Sequence, residues 1–412
     1  MSGDSAISDS VRQLLDQGTT VHAPSTVHLA GSVDVRRISP EAEIFPGCRL
    51  MGALTSIGPG CRLGEEGPLT LDDCQLERNV SLKAGYVAGS VFLDGSNIGS
   101  AAHVRPGTIL EEEASCAHAV GLKQTLLMPF VVTGSLVNFC DCLMAGGTDR
   151  RHHSEVGSSY VHFNYTSHND KATASLLGDV PRGVMLDQLP IFLGGQGGLA
   201  GPVRIEFGTT IAAGVICRRD VERQGQLVFG DNLSANRCED YDPSCYGKVG
   251  RKIANNFVYL GNVHALREWY RGVRARFLKR DAFGAACYEG VLRNLDLIIE
   301  ERHRRLTELS HNLRRSVELG AGTAVGSNAA APWFTQARFI ELWPALSDAL
   351  KAGISGAGDG EARSRFLSAL DSVSVDHGYI ETIRQLTPEV RTAGTVWLES
   401  VVRAVTDLWP AE

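Results

Sequence analysis

One short segment of the chain brings together side chains that bind polar ligands. Residues 162–173 read H-F-N-Y-T-S-H-N-D-K-A-T, with two histidines, two asparagines, a tyrosine and a lysine. The amide of Asn164 and the hydroxyl of Tyr165 suit the hydroxyls and carbonyls of a sugar, and the ammonium of Lys171 suits anionic oxygens. The segment therefore predicts a site for a sugar that carries a phosphate.

Two histidines of this segment are candidates for a catalytic base. A neutral imidazole titrates near neutral pH and can take a proton from an attacking amine. His162 and His168 flank the Asn-Tyr pair, and His168 is preferred because it lies within the polar loop itself. His152 and His153, at the end of the run D-R-R-H-H, are either an alternative base or surface residues of a charged loop.

A glycine-rich segment follows at residues 193–202, with the sequence L-G-G-Q-G-G-L-A-G-P. Glycine lets backbone N–H groups approach a ligand or a neighbouring chain closely. Gln196 and Gly197 are predicted to contact the substrate, and the amides of residues 195–198 to donate to the oxyanion of an acyl-transfer intermediate. Glycines are also common at the corners of a β-helix, so the cluster by itself leaves both interpretations open.

The elements that must position these residues are indicated by a spacing of six. An α-helix repeats every 3.6 residues or so and a flat strand every two, so neither produces this interval. A period of six, with Gly and Pro between the apolar positions, predicts a left-handed parallel β-helix whose short strands each bury one residue. The apolar runs are Val80, Tyr86, Phe92, Ile98, Val104 and Leu110; Val21, Val27 and Val33; Ile38, Ile44 and Leu50; Ile57, Leu63 and Leu69; and Ile205 and Ile211.

The glycine content and the spacing of apolar residues change along the chain and divide it into four parts. From residue 263 onward glycine becomes rarer and apolar residues recur at helical spacing, which predicts an α-helical domain after the coil. The predicted parts are an N-terminal helix within 1–18 (residues 5–17), the β-helix at 19–220 with an inserted active-site loop region at 128–201, a connector of loops and short strands at 221–262, and the helical domain at 263–412.

One stretch of the predicted helical domain is strongly basic. Residues 267–280 hold six basic residues and one acidic residue, interleaved with Trp269, Tyr270 and Phe277. Such a stretch either binds a phosphate or nucleotide, or forms an exposed helix face whose aromatic residues pack on the coil. Composition favours the second interpretation.

Composition and charge narrow the function classes. The formal net charge of −7 gives no reason to expect nucleic acid or an anionic membrane as a partner. No apolar run is long enough to cross a membrane, and the polar, acidic N-terminus has no signal-peptide pattern, which predicts a cytoplasmic protein. The ten cysteines lack paired spacing and are predicted to be buried thiols, and no metal site is predicted.

Four phrases within residues 105–220 match a known family: R-P-G-T (105–108), N-Y followed by K-x-T (164–173), L-G-D (177–179) and I-A-A-G followed by R-R-D (211–220). They resemble the C-terminal acetyltransferase domain of the bifunctional bacterial enzyme that makes UDP-N-acetylglucosamine, one of the hexapeptide-repeat acyltransferases. The resemblance implies that Arg105 contacts the sugar phosphate and that Lys123, in V-G-L-K, is a second phosphate-binding residue. It implies that Asn164, Tyr165 and Lys171 line the sugar site. It also implies an acyl-CoA such as acetyl-CoA as co-substrate, and a homotrimer.

The chain departs from the family pattern in three places. It starts directly with the coil, so the uridyltransferase half is predicted to be lacking. The run D-R-R-H-H is foreign to the pattern. The family's catalytic histidine is also replaced: counting back from Asn164 puts Asp141 at its position, and counting forward from Gly134 puts Phe139 there. Asp141 can act as a base for an amine only if burial raises its pKa.

The leading hypothesis is an acyltransferase that moves an acyl group from acyl-CoA to an amino-sugar phosphate or a nucleotide-sugar, as a glucosamine-1-phosphate N-acetyltransferase does. One alternative is a non-catalytic sensor or scaffold that binds a sugar nucleotide and whose C-terminal helices bind a protein partner. Another is a different group transfer on the same β-helix. The absent histidine favours these alternatives, whereas Arg105, Asn164, Tyr165 and Lys171 favour a working site.

Overall fold

The structure is a computed structural model that describes residues 7–230, 242, 244–321, 330–352, 356 and 358–409. Residues 20–228 wind into a coil of short strands that pair in parallel with the coil before and the coil after. Helices follow from residue 250 onward. The predicted fold, a parallel β-helix followed by an α-helical part, is confirmed.

The coil has three faces. Face 1 is an 11-stranded sheet of Thr20–Val21, Glu43–Ile44, Arg62–Leu63, Ser81–Leu82, Asn97–Ile98, Ser115–Cys116, Val132–Thr133, Glu155–Val156, Phe192–Leu193, Thr210–Ile211 and Leu227–Val228. Face 2 holds His28–Leu29, Arg49–Met51, Leu69–Asp72, Gly85–Ala88, Ala102–Arg105, the first halves of Gly121–Leu127 and Asn138–Met144, Val161–Phe163, Gly198–Ala200 and Ile216–Cys217. Face 3 holds Ser56–Ile57, Gln75–Leu76, Val91–Phe92, Ile109–Leu110, the second halves of Gly121–Leu127 and Asn138–Met144, Ser175–Leu177 and Arg204–Ile205.

The six-residue apolar pattern marks the inside of the coil with one exception. Each of the predicted inward residues is buried except Tyr86, whose side chain is 37% exposed on face 2. Its neighbour Val87 points inward instead and is 1% exposed. The buried residues here run Leu82, Val87, Phe92, an interval of five, so the phase slips by one residue and turns Tyr86 outward.

Residues 128–201 continue the coil, and the prediction of one inserted loop region there is corrected. Strands of all three faces run through it without a break in the stacking. Three excursions leave the coil: the antiparallel hairpin Gly147–Asp149 and His152–His153, the loop 164–174, and residues 178–191 with a short helix.

The helices are α1 Asp9–Asp16, α2 Val180–Gly183, α3 Gly250–Trp269, α4 Ala275–Leu278, α5 Ala282–Ala321, α6 Ala330–Ala352, α7 Gly360–Asp371, α8 Tyr379–Gln385 and α9 Pro388–Thr406, with a π-helical turn at Tyr270–Arg274. The predicted N-terminal helix is shorter than 5–17 and starts after Ser8, whose hydroxyl accepts from the amide of Val11. Within the described residues, no helix combines the length and apolar character that crossing a membrane requires.

Helix α3 begins inside the predicted connector, so the interpretation of residues 250–262 as loops was wrong. Three asparagines of this segment bind the coil from within the helix. Asn255 Nδ2 donates to Asp220 at 3.0 Å, Asn256 Nδ2 donates to Ala172 O at 3.1 Å, and Asn262 Oδ1 accepts from the amide of Val180 at 2.8 Å. A helix that docks on a coil can satisfy exposed backbone groups with such amides.

Helices cover face 3 and leave a long part of face 2 exposed. Helix α5 packs on Ser56–Ile57, Gln75–Leu76 and Val91–Phe92, and Asn294 of this helix donates to the carbonyls of Gly89 and Thr108. On face 2, in contrast, the outward side chains of His28, Arg49, His103 and Asn138 are exposed among the described residues. A ligand therefore has access to face 2.

The basic stretch 267–280 is partly buried, and its arginines are paired with carboxylates. Trp269 and Tyr270 are buried, as predicted, but Arg274 is buried too and its guanidinium pairs with Glu112 of the coil. Other arginines of the stretch are paired with carboxylates: Arg267 with Asp296, Arg271 with Glu268, Arg276 with Asp371 and Arg280 with Asp376. These arginines hold helices together and hold them on the coil.

In the glycine-rich segment the backbones of successive coils are in direct contact, as at Gly157 and Gly195. A Cβ on Gly157 would lie 2.3 Å from the amide nitrogen of Gly195, closer than real Cβ contacts come. We expect Gly157→Ala to lower the free energy of unfolding by about 2 kcal/mol, because the backbone must shift to remove the clash. Urea denaturation measures it. Gly31→Ala is the matched control, since no atom lies within 4 Å of a Cβ there, and equal losses for both variants would contradict the prediction.

Candidate functional site

Two cations stack on exposed face 2. Arg105 lies in register with Lys123 on the next coil, and Lys123 with Cys140 on the coil after that. Neighbouring strands are about 4.8 Å apart, so the two cationic side chains leave the surface side by side. Arg105 Nη2 donates to Cys140 Sγ at 3.3 Å, and neither cation forms an ion pair within the described residues. Burial raises the pKa of the Cys140 thiol, so it stays protonated beside them.

A notch lies beside these cations. His103, Gly121 and Asn138 are in register on three successive coils, each two residues before a member of the first row. Gly121 has no side chain, which leaves a narrow gap beside the imidazole of His103; the Asn138 amide borders it, since a Cβ on Gly121 would lie 3.7 Å from Asn138 Oδ1. The sequence analysis did not identify His103, Gly121 or Asn138 as site residues.

An open cavity lies on face 2 beside His103 and Arg105. The cavity has a volume of about 530 Å³ and is lined by Asp72, Tyr86, His103 and Arg105, among others. The Tyr86 ring stacks on the His103 ring with their centroids 5.2 Å apart. Within the described residues no hydrogen bond reaches the ring nitrogens of His103, so its orientation is set by this stacking.

The polar loop 164–174 is tied to the helices. Asp170 is fully buried and accepts from the Tyr246 hydroxyl at 3.0 Å and from Lys252 Nζ at 3.1 Å. Asn164 and Lys171 are half-buried, whereas Tyr165 is 77% exposed. The anchor holds the loop in place while leaving the phenol of Tyr165 open to a ligand.

His168 lies against the segment that precedes α3. Its ring stacks on Tyr246 with centroids 3.8 Å apart, and its Nε2–H donates to Cys245 O at 3.2 Å. The ring is thus engaged in fixing the loop. His152 and His153 lie in the hairpin that leaves the coil, and the side chain of His152 is 72% exposed.

His162 faces the inside of the coil. Its Nδ1–H donates to Cys140 O at 2.6 Å, and its Nε2 accepts from the Ser175 hydroxyl at 2.8 Å, which assigns the neutral tautomer. Burial lowers the pKa of His162, since a charged imidazole would lose its hydration there. With both nitrogens engaged and the ring 3% exposed, it has a structural role.

Asp141 forms a corner of the coil and is neutralised by a helix. Its φ of +59° lies in the left-handed region that Asp tolerates better than most residues. Arg302 of α5 donates from Nη2 to Asp141 Oδ1 at 2.9 Å, and both side chains are almost completely buried. Arg302 Nη1 also donates to Lys171 O at 3.3 Å, so one guanidinium holds both the corner and the polar loop. Phe139, the other residue aligned with the family's histidine, is 0% exposed.

Gln196 and Gly197 lie at the corner between faces 1 and 2, away from the cations, which stand near the corner between faces 2 and 3. The amides of Gln196 and Gly198 donate to Ser158 O and Val215 O within the coil. These two N–H groups are therefore not free to bind an oxyanion.

The arrangement thus separates the predicted site residues into two groups. Arg105, which is exposed, and Lys123, which is half-buried, lie on face 2, and Asn164, Tyr165 and Lys171 belong to the anchored loop. Asp141 lies between the groups as a buried corner that Arg302 connects to the loop. No cluster of three or more His, Cys, Asp or Glu side chains suited to a metal ion occurs among the residues the structure describes.

Comparison with known proteins confirms the resemblance drawn from the motifs. Over 210 residues the chain is 29% identical to the bifunctional protein GlmU of Trichlorobacter lovleyi, a match that covers 51% of this chain and 40% of that protein. The GlmU proteins of Pseudomonas entomophila (29% over 219 residues; 52% and 42%) and Thermotoga maritima (26% over 212 residues; 51% and 42%) match similarly. The chain thus spans about two fifths of the length of these relatives.

Two further comparisons add little. No protein-family model matches the chain. Among solved structures, the polysialic acid O-acetyltransferase OatWY aligns with 54% of this chain and 90% of its own, at 11% identity and a TM-score of 0.14.

Proposed function

We propose that this chain, whose coil is similar to that of GlmU proteins, transfers an acyl group from an acyl-CoA to an anionic carbohydrate. The acceptor is an amino-sugar phosphate or a nucleotide-sugar. The observation that carries the proposal is the pair of cations on face 2, the exposed Arg105 and the half-buried Lys123, aligned on adjacent coils without a carboxylate partner among the described residues.

The cation pair suits a phosphate better than a single charge would. A phosphate presents several anionic oxygens, and a guanidinium can bind two of them in parallel while an ammonium acts as a compact second charge. Some arginines elsewhere on the coil are paired with carboxylates, as Arg62 is with Glu43 and Arg204 with Glu222. Because Arg105 and Lys123 carry no such partner, their charge is available to a ligand.

The remaining parts of the acceptor have polar partners nearby. The Asn138 amide stands at the notch beside the cations, and Asn164 and Tyr165 supply further groups from the loop. Fixing the phosphate and the sugar hydroxyls orients the attacking group, which is an entropic contribution to rate. A homotrimer, as the resemblance implies, would place a second coil against such an open face and close the site.

The test is a transfer assay with acetyl-CoA and glucosamine-1-phosphate. The acylated product is followed by mass spectrometry, because protein thiols interfere with a thiol-release assay. Product that accumulates with time and enzyme concentration supports the proposal. Absence of product with a panel of amino-sugar phosphates and nucleotide-sugars, under conditions in which CoA binds, would reject it.

The cation pair gives a sharper prediction. We expect Arg105→Ala to weaken binding of glucosamine-1-phosphate by about tenfold or more and the Arg105→Ala/Lys123→Ala double variant by about a hundredfold, since each charged hydrogen bond contributes on the order of 1.5–3 kcal/mol. Calorimetry measures the affinity. Arg49→Ala is the matched control, because Arg49 is exposed on the same face three coils earlier. Equal affinities for Arg105→Ala and the wild type would remove this face from the site.

A second candidate function has one observation in its favour. Neither residue aligned with the family's histidine is available: Phe139 is buried and Asp141 is paired with Arg302. A coil that binds a sugar nucleotide without reacting it would need no base at that place. Tight binding of the sugar phosphate with no turnover for any acyl-CoA would favour this sensor or scaffold.

A further inference from the structure

The site described above lacks an obvious group to accept a proton. Attack by an amine or hydroxyl on a thioester requires a base to remove a proton as the new bond forms. Of the residues considered from sequence, His162 is buried with both nitrogens engaged, His168 is fixed against Tyr246, and Asp141 is neutralised by Arg302. None of these three side chains stands free beside the cations.

We propose that His103 is the general base of the transfer. The inference rests on the proposed function and names a residue of the same site. His103 lies two residues before Arg105 on one strand of face 2, so both side chains point outward and their Cα atoms are about 7 Å apart. It is exposed, and its nitrogens make no hydrogen bond within the described residues.

The open cavity on face 2 lets the acceptor reach this imidazole. His103 and Arg105 both line the cavity, so a sugar held there can place its phosphate on Arg105, with Lys123 in register on the next coil. A group on the ring carbon next to the phosphate-bearing carbon then lies beside His103, across the width of one sugar ring.

The remaining neighbours surround the imidazole of His103 on face 2. The groups that face the His103 ring are Tyr86, which stacks on it, Arg105 on its own strand, Lys123 on the next coil, and Asp72 in the shared cavity. The stacked Tyr86 ring holds the imidazole plane in place.

The step balances without a further reactant. The acceptor nitrogen bonds to the thioester carbonyl carbon while His103 takes a proton from that nitrogen. The tetrahedral intermediate then collapses, the carbon–sulfur bond breaks, and the departing thiolate takes the proton from the imidazolium. The products are the amide and free CoA thiol, and His103 returns to its neutral form. For a hydroxyl acceptor the same sequence gives an ester.

His103→Gln tests the assignment because glutamine keeps a polar side chain that stacks but cannot accept the proton. We expect kcat to fall by about 10²- to 10⁴-fold, with the affinity for glucosamine-1-phosphate unchanged within about threefold. The acidic limb of the pH–rate profile should also disappear in the His103→Gln variant. In His103→Ala, added imidazole should restore part of the rate, a response that a purely structural role does not produce.

His28→Gln is the matched control. His28 is exposed on face 2 and in register with Arg49, four coils before His103, so its loss should leave kcat unchanged. Failure of the proposed function and of this inference are distinguishable. Wild-type protein without turnover rejects the former, whereas an active wild type matched by an equally active His103→Gln overturns the latter. Circular dichroism and sugar-phosphate affinity establish that each variant is folded.

Discussion

Replacing Arg302 by methionine is expected to lower the free energy of unfolding by about 3–5 kcal/mol. The guanidinium of Arg302 is 1% exposed and pairs with Asp141, which is 4% exposed. Methionine fills much of the same volume but leaves the Asp141 carboxylate buried without its cation. Removing one partner of a buried pair leaves an uncompensated charge, which costs more than the pair itself contributes. Chemical denaturation monitored by circular dichroism measures the loss.

Two further variants separate this cause from loss of packing. In Arg302→Met/Asp141→Asn the carboxylate is removed as well, and we expect most of the lost stability to return. Arg304→Met is the matched control on the same helix, because the Arg304 side chain is 59% exposed and its partner Glu301 keeps a second cation, Arg305. If Arg302→Met and Arg304→Met cost the same, or the double variant recovers nothing, the pair does not stabilise the fold in this way.

The same pair connects the helices to the proposed site. Arg302 also donates to Lys171 O, so its loss frees one end of the loop that carries Asn164 and Tyr165. The helical part therefore fixes the geometry of that loop from outside the coil. An Arg302→Met protein that is still folded should bind the sugar phosphate more weakly, while Arg304→Met should not.

The coil was predictable because its physical signal is local. Each side of the coil buries about one residue before the chain turns. Apolar residues therefore recur at an interval of six residues, with Gly and Pro between them. The prediction was wrong at Tyr86 because two successive sides are one residue shorter, as the buried residues Leu82, Val87 and Phe92 show. A period fitted to a whole run does not detect such a slip.

The site was less predictable because it depends on alignment between coils. Arg105 and Lys123 were found by resemblance, whereas His103, Gly121 and Asn138 form a notch only in register. The interval from His103 to Gly121 is 18 residues, and that from Gly121 to Asn138 is 17. Because 17 is not a multiple of six, a strict six-residue repeat does not predict the second alignment. A His-x-Arg pattern on one outward strand was the available signal.

The contacts between the coil and the helices could not be predicted from the sequence, for a different reason. Asp141 and Arg302 are separated by 161 positions, and nothing in either neighbourhood indicates the other. Arg274 gave a misleading signal, because a basic stretch usually lies at the surface, whereas this guanidinium is buried against Glu112. Such pairs follow from docking a helix on the coil and require the tertiary structure.

Two carboxyl groups beside Arg274 should make the stability depend on pH. Burial raises the pKa of Glu111 to about 7, although the Arg274 charge opposes this, and Glu111 accepts from the Tyr270 hydroxyl at 2.5 Å. Burial, followed by the nearby charge of Glu112, also raises the pKa of Glu77 to about 7. In the unfolded chain a glutamic acid titrates near 4.3 or so. The folded protein therefore holds more protons than the unfolded chain between about pH 4.5 and 7.

Stability from these groups is fully present below the unfolded pKa and is lost as the pH rises through 7. For Glu111, which is 3% exposed, the shift corresponds to about 3 kcal/mol between pH 4.5 and 8. Urea unfolding at a series of pH values should show Glu111→Gln losing less stability than the wild type over this window. Glu300→Gln, on an exposed part of α5, is the control and should follow the wild type. Parallel curves for the wild type and Glu111→Gln would mean that Glu111 is ionised throughout, with Arg274 outweighing the cost of burial.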